Sequence, residues 1–450
     1  MSDAPILNSP WQSAPQPKVV PAGTGAENGM TVEFSGKRWS LFWLALKTGF
    51  FTILTLGFYR FWMKTRLRRW YWSAIRPGGH PMEYTGDPME KLLGFFIAVV
   101  ILTFYIGIVN LLLMFVSFSV FNSSVIGYVL SFAGVVPIWF YARYRARRYV
   151  LARTRWRGVR FGLEKGAWGY AIRALWYWFL TIITAGILWP RMTFLLEKYK
   201  TDRTFYGSAR LFQDGRWQML YRAAWPLIAS LVLLAGAVLW TIQFAPVFPD
   251  GIKDGAELIK LVDAFFEGLA PNINWTQPER LLLFPLALSG IVFGAIYYRW
   301  VSKRIMAQHK RGPGVQFDSR LSGVRVSFIY VLGNFIAYAM LVLGVAALAL
   351  LAVALFSDGM AILADTPGAS MMQDLPRGVA VAGLALLYLT FFLLWGVLYN
   401  TFVTYPLMRH MARTTSLPLS AGLALVSQRA RDEFAEAEGF AEALDLGAAI

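Results

Sequence analysis

Long uncharged blocks separated by short basic connectors dominate the chain from residue 39 onward. Uncharged or nearly uncharged stretches lie at 39–60, 92–121, 124–142, 168–189, 223–248, 281–298, 326–356 and 378–408. The longest exceed the roughly 20 residues that cross a hydrocarbon core, with length to spare for tilt. If all eight crossed, alternation would place the acidic loop 249–280 on the same side as the Arg-rich loop 143–167, against the tendency of cations to stay inside. Block 168–189 resolves the conflict. It is flanked by Arg160, Lys165 and Arg173 before and by Arg191, Lys198, Lys200 and Arg203 after, so both ends belong on one side and the helix dips in or lies flat. Block 39–60 carries Lys47 near its middle, which at mid-bilayer would cost about 2.5–3.5 kcal/mol, and the same geometry is expected there. The remaining six blocks pair as three hairpins, 92–142, 223–298 and 326–408. The pattern predicts an all-α polytopic membrane protein with about six transmembrane helices and two re-entrant or interfacial ones.

Two internal echoes support this layout. Thr55-Leu56-Gly57 matches Thr184-Ala185-Gly186 at an offset of 129, and Met63, Leu67, Gly78 and Gly86 match Met192, Leu196, Gly207 and Gly215 in the same register. A second echo, at an offset of 156, pairs Tyr141 with Tyr297, Arg143 with Arg299, Arg147 with Lys303, Arg148 with Arg304 and Gly158 with Gly314. Each returning helix therefore ends in a basic, aromatic elbow followed by a glycine turn. The expected organisation is a disordered cytoplasmic tail over 1–32, a membrane domain over 33–413 with units near 33–167, 168–325 and 326–413, and an acidic cytoplasmic tail over 414–450.

Composition narrows the class. The chain is 57% hydrophobic and 16% aromatic, with a mean hydropathy of +0.48, more apolar surface than one soluble core can bury. The net charge of +17 does not point to nucleic acid, because Lys and Arg cluster at the ends of apolar blocks. They form a cytoplasmic collar, opposed by Asp250, Asp254, Glu257, Asp263, Glu267 and Glu279 in one outer loop and Asp358, Asp365 and Asp374 in another. The absence of cysteine excludes disulfides, thiolate nucleophiles and Cys-ligated metals.

The run Phe34-Ser35-Gly36, then Thr55-Leu56-Gly57-Phe58-Tyr59-Arg60-Phe61-Trp62, then Tyr84-Thr85-Gly86 resembles the opening unit of the YjgN-type inner-membrane proteins, the domain of unknown function 898 family. The closing Glu438-Gly439-Phe440-Ala441-Glu442-Ala443-Leu444-Asp445 is similar to bacterial members. The second copy departs from the pattern, with Leu188 in place of Tyr59 and Arg191 in place of Trp62. The resemblance implies a bacterial inner-membrane protein with no assigned activity, and it supplies no site residues.

Catalytic chemistry finds little support. His80, His309 and His410 lie in separate connectors without ligand-like spacing, and neither a phosphate-binding P-loop nor a nucleophile elbow is present. No cofactor or metal is expected. The most enzyme-like cluster is His80, Glu83 and Asp87, which would suit an enzyme acting on lipid headgroups. Their partners at the offset of 129 are Ala209, Phe212 and Arg216, so the repeat does not require them. The six spans hold no acidic residue, and Asn110, Asn334 and Asn400 suit helix packing better than a transport path for an amphiphile. Gly290 and Gly294 form a small-xxx-small pair suited to close helix contact. The leading expectation is binding of anionic membrane lipid through Arg68, Arg69, Arg143, Arg147, Arg148, Arg299, Lys303 and Arg304, with Lys47 and Arg173 as further anion-binding candidates at the dipping helices.

Overall fold

The computed structural model describes residues 29–121, 124–241, 282–356 and 377–429. Residues 249–280 and 357–376, expected above as outer loops, most of the N-terminal tail and the acidic stretch beyond Arg429 lie outside the described residues.

The fold starts from two helical hairpins. Helix α1 (Arg38–Leu54) turns back into α2 (Arg60–Ala74). In the turn, Leu56 and Gly57 take φ of 51° and 96°, a left-handed pair that glycine makes accessible. The Gly57 N–H donates to the Thr52 carbonyl at 2.7 Å, and the Thr55 hydroxyl bonds the Phe51 carbonyl while accepting from the Tyr59 N–H. The second hairpin is built alike. Helix α6 (Ala167–Ile183) turns into α7 (Trp189–Thr201) through Ala185 and Gly186 at φ of 47° and 86°, with Gly186 N–H on Thr181 and Thr184 in the role of Thr55. Even the Thr52 hydroxyl contact to Met63 Sδ, 3.8 Å, recurs between Thr181 and Met192.

Each hairpin leaves and rejoins its own sheet through two adjacent strands. Strand β1 (Met30–Phe34), before α1, pairs with β2 (Ile75–Pro77), after α2, in the register Phe34 to Ile75. After β3 (Met82–Tyr84) and the long helices described below, β4 (Thr154–Trp156) leads to β5 (Val159–Leu163). Strand β5, before α6, pairs with β6 (Thr204–Tyr206), after α7, in the register Leu163 to Thr204. The two ends of each hairpin are therefore adjacent, while their turns are apolar and exposed, with Leu56 82% and Ile187 67% accessible.

The long helices run from α3 (Pro88–Phe104) through a π-helical turn into α4 (Asn110–Phe121), then α5 (Ser124–Ala152), α8 (Tyr221–Thr241), α9 (Leu283–Gln308), α10 (Gly323–Phe356), α11 (Arg377–Tyr399) and α12 (Tyr405–Thr414). Among the described residues, segments Trp217–Leu239, Leu283–Gln308, Gly323–Ala347 and Tyr388–Thr414 are long and apolar enough to cross a bilayer. Their outward faces carry exposed Val232, Leu239, Phe335 and Val342, a surface that water does not tolerate at this extent. The chain is a membrane protein.

The all-α expectation is corrected by eleven short strands among the described residues. The protein is mostly helical, but the strands form a six-stranded sheet ordered β2-β1-β11-β10-β9-β8 and a five-stranded sheet ordered β3-β4-β5-β6-β7. Here β7 is Ala209–Arg210, β8 Phe212–Gln213, β9 Lys310–Gly312, β10 Val315–Ser319 and β11 Thr415–Leu419. Helices α2, α5, α7, α9 and α12 each run almost directly into a strand. Thr154, Thr204 and Thr415 mark three of these transitions, each hydroxyl bonding the carbonyl four residues back at 2.8 Å. The glycine turns after the basic elbows are β-hairpin turns: Arg157 and Gly158 have φ of 50° and 77°, which suits a two-residue connection between twisted strands.

The tail boundaries shift for the same reason. Residues 30–32 belong to β1, and 415–419 form β11 between β1 and β10, because the terminal segments supply backbone hydrogen bonds that the sheet edges lack. Beyond β11, Ser427 exchanges hydrogen bonds with Ser208, and Gln428 accepts from the Arg160 N–H, which straps the C-terminal segment across the second sheet.

Candidate functional site

The basic elbows of α5 and α9 face each other across α7. Between them lies a cavity of about 930 Å³ whose wall includes Arg143 and Arg147 from α5, Glu197 and Lys200 from α7, Arg299, Lys303 and Arg304 from α9, and Lys310 from β9. Seven cations thus surround one carboxylate. Phe140, Trp178, Leu227 and Ala295 complete an apolar part of the same wall.

Glu197 organises the cluster. Its carboxylate lies 2.7 Å from Lys200 Nζ, 3.1 Å from Lys310 Nζ and 3.3 Å from Arg147 Nη2, with a second Arg147 contact at 3.4 Å. Burial alone would raise its pKa, but Arg147, Lys200 and Lys310 together hold it well below the usual carboxylate range. The Lys200 ammonium is shifted the other way, down to about 8, by burial and then by the neighbouring Arg147, against the pull of Glu197. A hydrogen bond from the Tyr298 hydroxyl to Thr193, 3.0 Å, fixes α9 to α7 beside the cluster.

The other cations are not neutralised. Among the described residues Lys303 makes no hydrogen bond or ion pair, its ammonium resting 4.1 Å over the Trp300 ring. Arg143 lies 5.3 Å over Trp139 and Arg299 6.0 Å over Trp300. Arg304 donates from Nη1 to the Leu321 carbonyl at 3.2 Å and leaves Nε buried without a partner. Ring faces position these charges without cancelling them. The result is a concave, positively charged chamber that suits a compact multivalent anion. Among the described residues its wall has no histidine, and its one carboxylate is held ionised by three cations.

The sequence candidates divide by helix face. Arg143, Arg147, Arg299, Lys303 and Arg304 meet in the chamber. Arg148, next to Arg147, points about 100° away round the helix and bonds the Leu163 carbonyl at 3.0 Å in the protein interior. Arg68 donates to the Tyr84 hydroxyl and Arg69 to the Gly86 carbonyl, fixing α2 to β3 and the turn after it. Lys47 and Arg173 stand exposed on α1 and α6, outside the chamber wall; Arg173 lies 4.9 Å over Tyr199.

His80 and Glu83 are exposed around β3, and Asp87 accepts a hydrogen bond from the Met89 N–H. No metal-binding group of side chains occurs among the described residues. Asn334 and Asn400 each donate to a carbonyl four residues back in their own helix, and the Asn110 side chain lies outside the described residues.

Sequence reasoning missed Glu197 and Lys310 and treated Lys200 only as flanking charge. A signal for Glu197 was present: at the offset of 129 it stands where Arg68 does, and it is the one acidic residue between Glu164 and Asp202.

The family described as bacterial protein of unknown function, DUF898, matches residues 30–347, from β1 into α10, and the chain belongs to it. No match was found among curated proteins or among solved structures.

Proposed function

We propose that the protein is a bacterial inner-membrane protein that binds a phosphate-bearing anion, foremost an anionic lipid headgroup, in the chamber between α5, α7 and α9. The observation that carries this reading is the charge imbalance of seven cations against Glu197. In a partly dry cavity such an excess is unfavourable until an anion enters. The apolar part of the wall suits an amphiphile better than a bare ion.

The membrane layout follows from the same charges. Helices α3–α4 and α5 form a first transmembrane pair, α8 and α9 a second, α10 and α11 a third. The α1–α2 and α6–α7 hairpins are repeated re-entrant elements whose tips sit in lipid, and the sheets, the basic elbows and both termini lie in the cytoplasm. The chain lacks cysteine, so single introduced cysteines report this directly. In intact spheroplasts an impermeant maleimide should label Trp275→Cys and Ser370→Cys. Phe212→Cys should react only after permeabilisation and Leu56→Cys under neither condition. Labelling of Leu56→Cys from outside would make α1 a true span and overturn the layout.

For the ligand, purified protein should retain phosphatidylglycerol or cardiolipin above the bulk lipid ratio, and inorganic phosphate or pyrophosphate should compete if the phosphate group alone is recognised. Replacing Arg143, Arg299 or Lys303 by Ala should weaken binding about fivefold each, and roughly a hundredfold together, at about 1 kcal/mol per cation. These three leave the Glu197 ion pairs intact. Affinity should also fall as pH rises through about 8, where Lys200 loses its proton, by up to the roughly fivefold that one cation contributes. No lipid enrichment and no response to the triple variant would end the headgroup proposal.

A further inference from the structure

A second cavity, of about 290 Å³, lies between the two sheets. Val32, Ile75 and Val315 line it from the six-stranded sheet, and Trp156, Phe161 and Tyr206 from the five-stranded one. Its lining carries almost no polar surface. The space is a cleft open on one side, and so apolar a concave surface is unfavourable in contact with water. Water has no partners there. The natural occupant is therefore apolar, and the volume, at the low end of small-ligand pockets, suits one alkyl chain rather than two.

Met411 and Thr415, at the junction of α12 and β11, line both this cavity and the cationic chamber, so they form the partition between them. Methionine is the side chain best able to move aside for a flexible chain. A cationic chamber and a dry apolar one meeting at a methionine describe the two ends of a single amphiphile. We propose that the ligand is a single-chain anionic amphiphile, its phosphate or carboxylate head among Arg143, Arg299 and Lys303 and its tail withdrawn from the bilayer into the space between the sheets. This rests on the chamber reading above and names the ligand class.

The test is a chain-length ladder on the full protein in nanodiscs, with inorganic phosphate and butyl, octyl and dodecyl phosphate as probes. Inorganic phosphate should bind, and affinity should rise at least tenfold from butyl to dodecyl phosphate. Ala209→Phe, which projects into the apolar cavity, should abolish that rise while leaving phosphate affinity unchanged; Ala412→Leu serves as a second filling variant if the first does not fold. A photoactivatable dodecyl phosphate should crosslink to Met408 or Trp156 in the unaltered chain. A flat ladder in protein that binds phosphate, or a rise that survives both filled variants, overturns the tail site and leaves the chamber standing. Failure of phosphate and every alkyl phosphate to bind overturns both.

Discussion

Glu197→Gln should lower the thermal midpoint sharply, with a loss of about 3–5 kcal/mol, the range for removing one partner from a buried ionic cluster. The amide keeps the shape of the side chain but leaves Arg147, Lys200 and Lys310 facing one another without a counter-charge at distances now near 3 Å from the same group. Three elements are affected together, since those cations come from α5, α7 and β9. Intrinsic tryptophan fluorescence in detergent gives the midpoint. Two further readouts separate this mechanism from simple loss of a contact. Phosphate or anionic lipid should restore much of the lost stability in the variant and little in the unaltered chain.

The pH dependence should have a definite sign as well. With Glu197 gone, the Lys200 pKa falls below its already depressed value of about 8, so the folded state binds fewer protons than the unfolded one up to the ordinary lysine range. Stability of the variant should then rise with pH across that window. In the unaltered chain the depressed Glu197 pKa acts in the opposite region: its contribution is present above the ordinary carboxylate range and is lost as pH falls through the folded value. A variant as stable as the parent, with no response to anions, would mean that the cations do not press on one another.

The elements legible in the sequence are those in which a single local feature decides the geometry. The Thr-x-Gly turns could be read because a left-handed residue ends a helix wherever it falls. The register of Phe34 with Ile75 supplies the common base of the first hairpin. The strands were not legible, because each is two to five residues long, most begin within three residues of a helix end or of another strand, and all have too few positions to show alternation. Their pairing, β1 with β11 for instance, joins opposite ends of the chain, which no local pattern records. The chamber was half legible. The offset of 156 selected the elbows of α5 and α9, but nothing in a run such as Arg147-Arg148 says which guanidinium faces the cavity. The contact between Glu197 and Lys310 links segments that share no motif.

Gly294→Val should be the most damaging substitution outside the charged cluster. A Cβ at Gly294 would come within 2.6 Å of the Leu227 Cα and 2.7 Å of its backbone nitrogen, so relief requires moving α8 itself. Overpacking of this kind destabilises by about 1–3 kcal/mol and sometimes more, and in a membrane the helix pair has little hydrophobic drive to hold it together against the strain. Gly290→Ala is the milder control, because its Cβ would meet the Ser230 hydroxyl, a side-chain end that can rotate away, and the Ser230 Cβ at 3.2 Å, a contact that a shift of a few tenths of an ångström relieves, and its effect should stay at about 1 kcal/mol. The consequence should reach the binding site. Leu227 and Ala295 line the chamber and Arg299 lies little more than one turn beyond Gly294, so forcing α8 from α9 displaces the wall that positions the unpaired cations. Gly294→Val should therefore lose phosphate-induced stabilisation in the fraction that remains folded, whereas Gly290→Ala keeps it. Equal effects of the two substitutions would show that the α8–α9 contact tolerates separation and that the chamber does not depend on it.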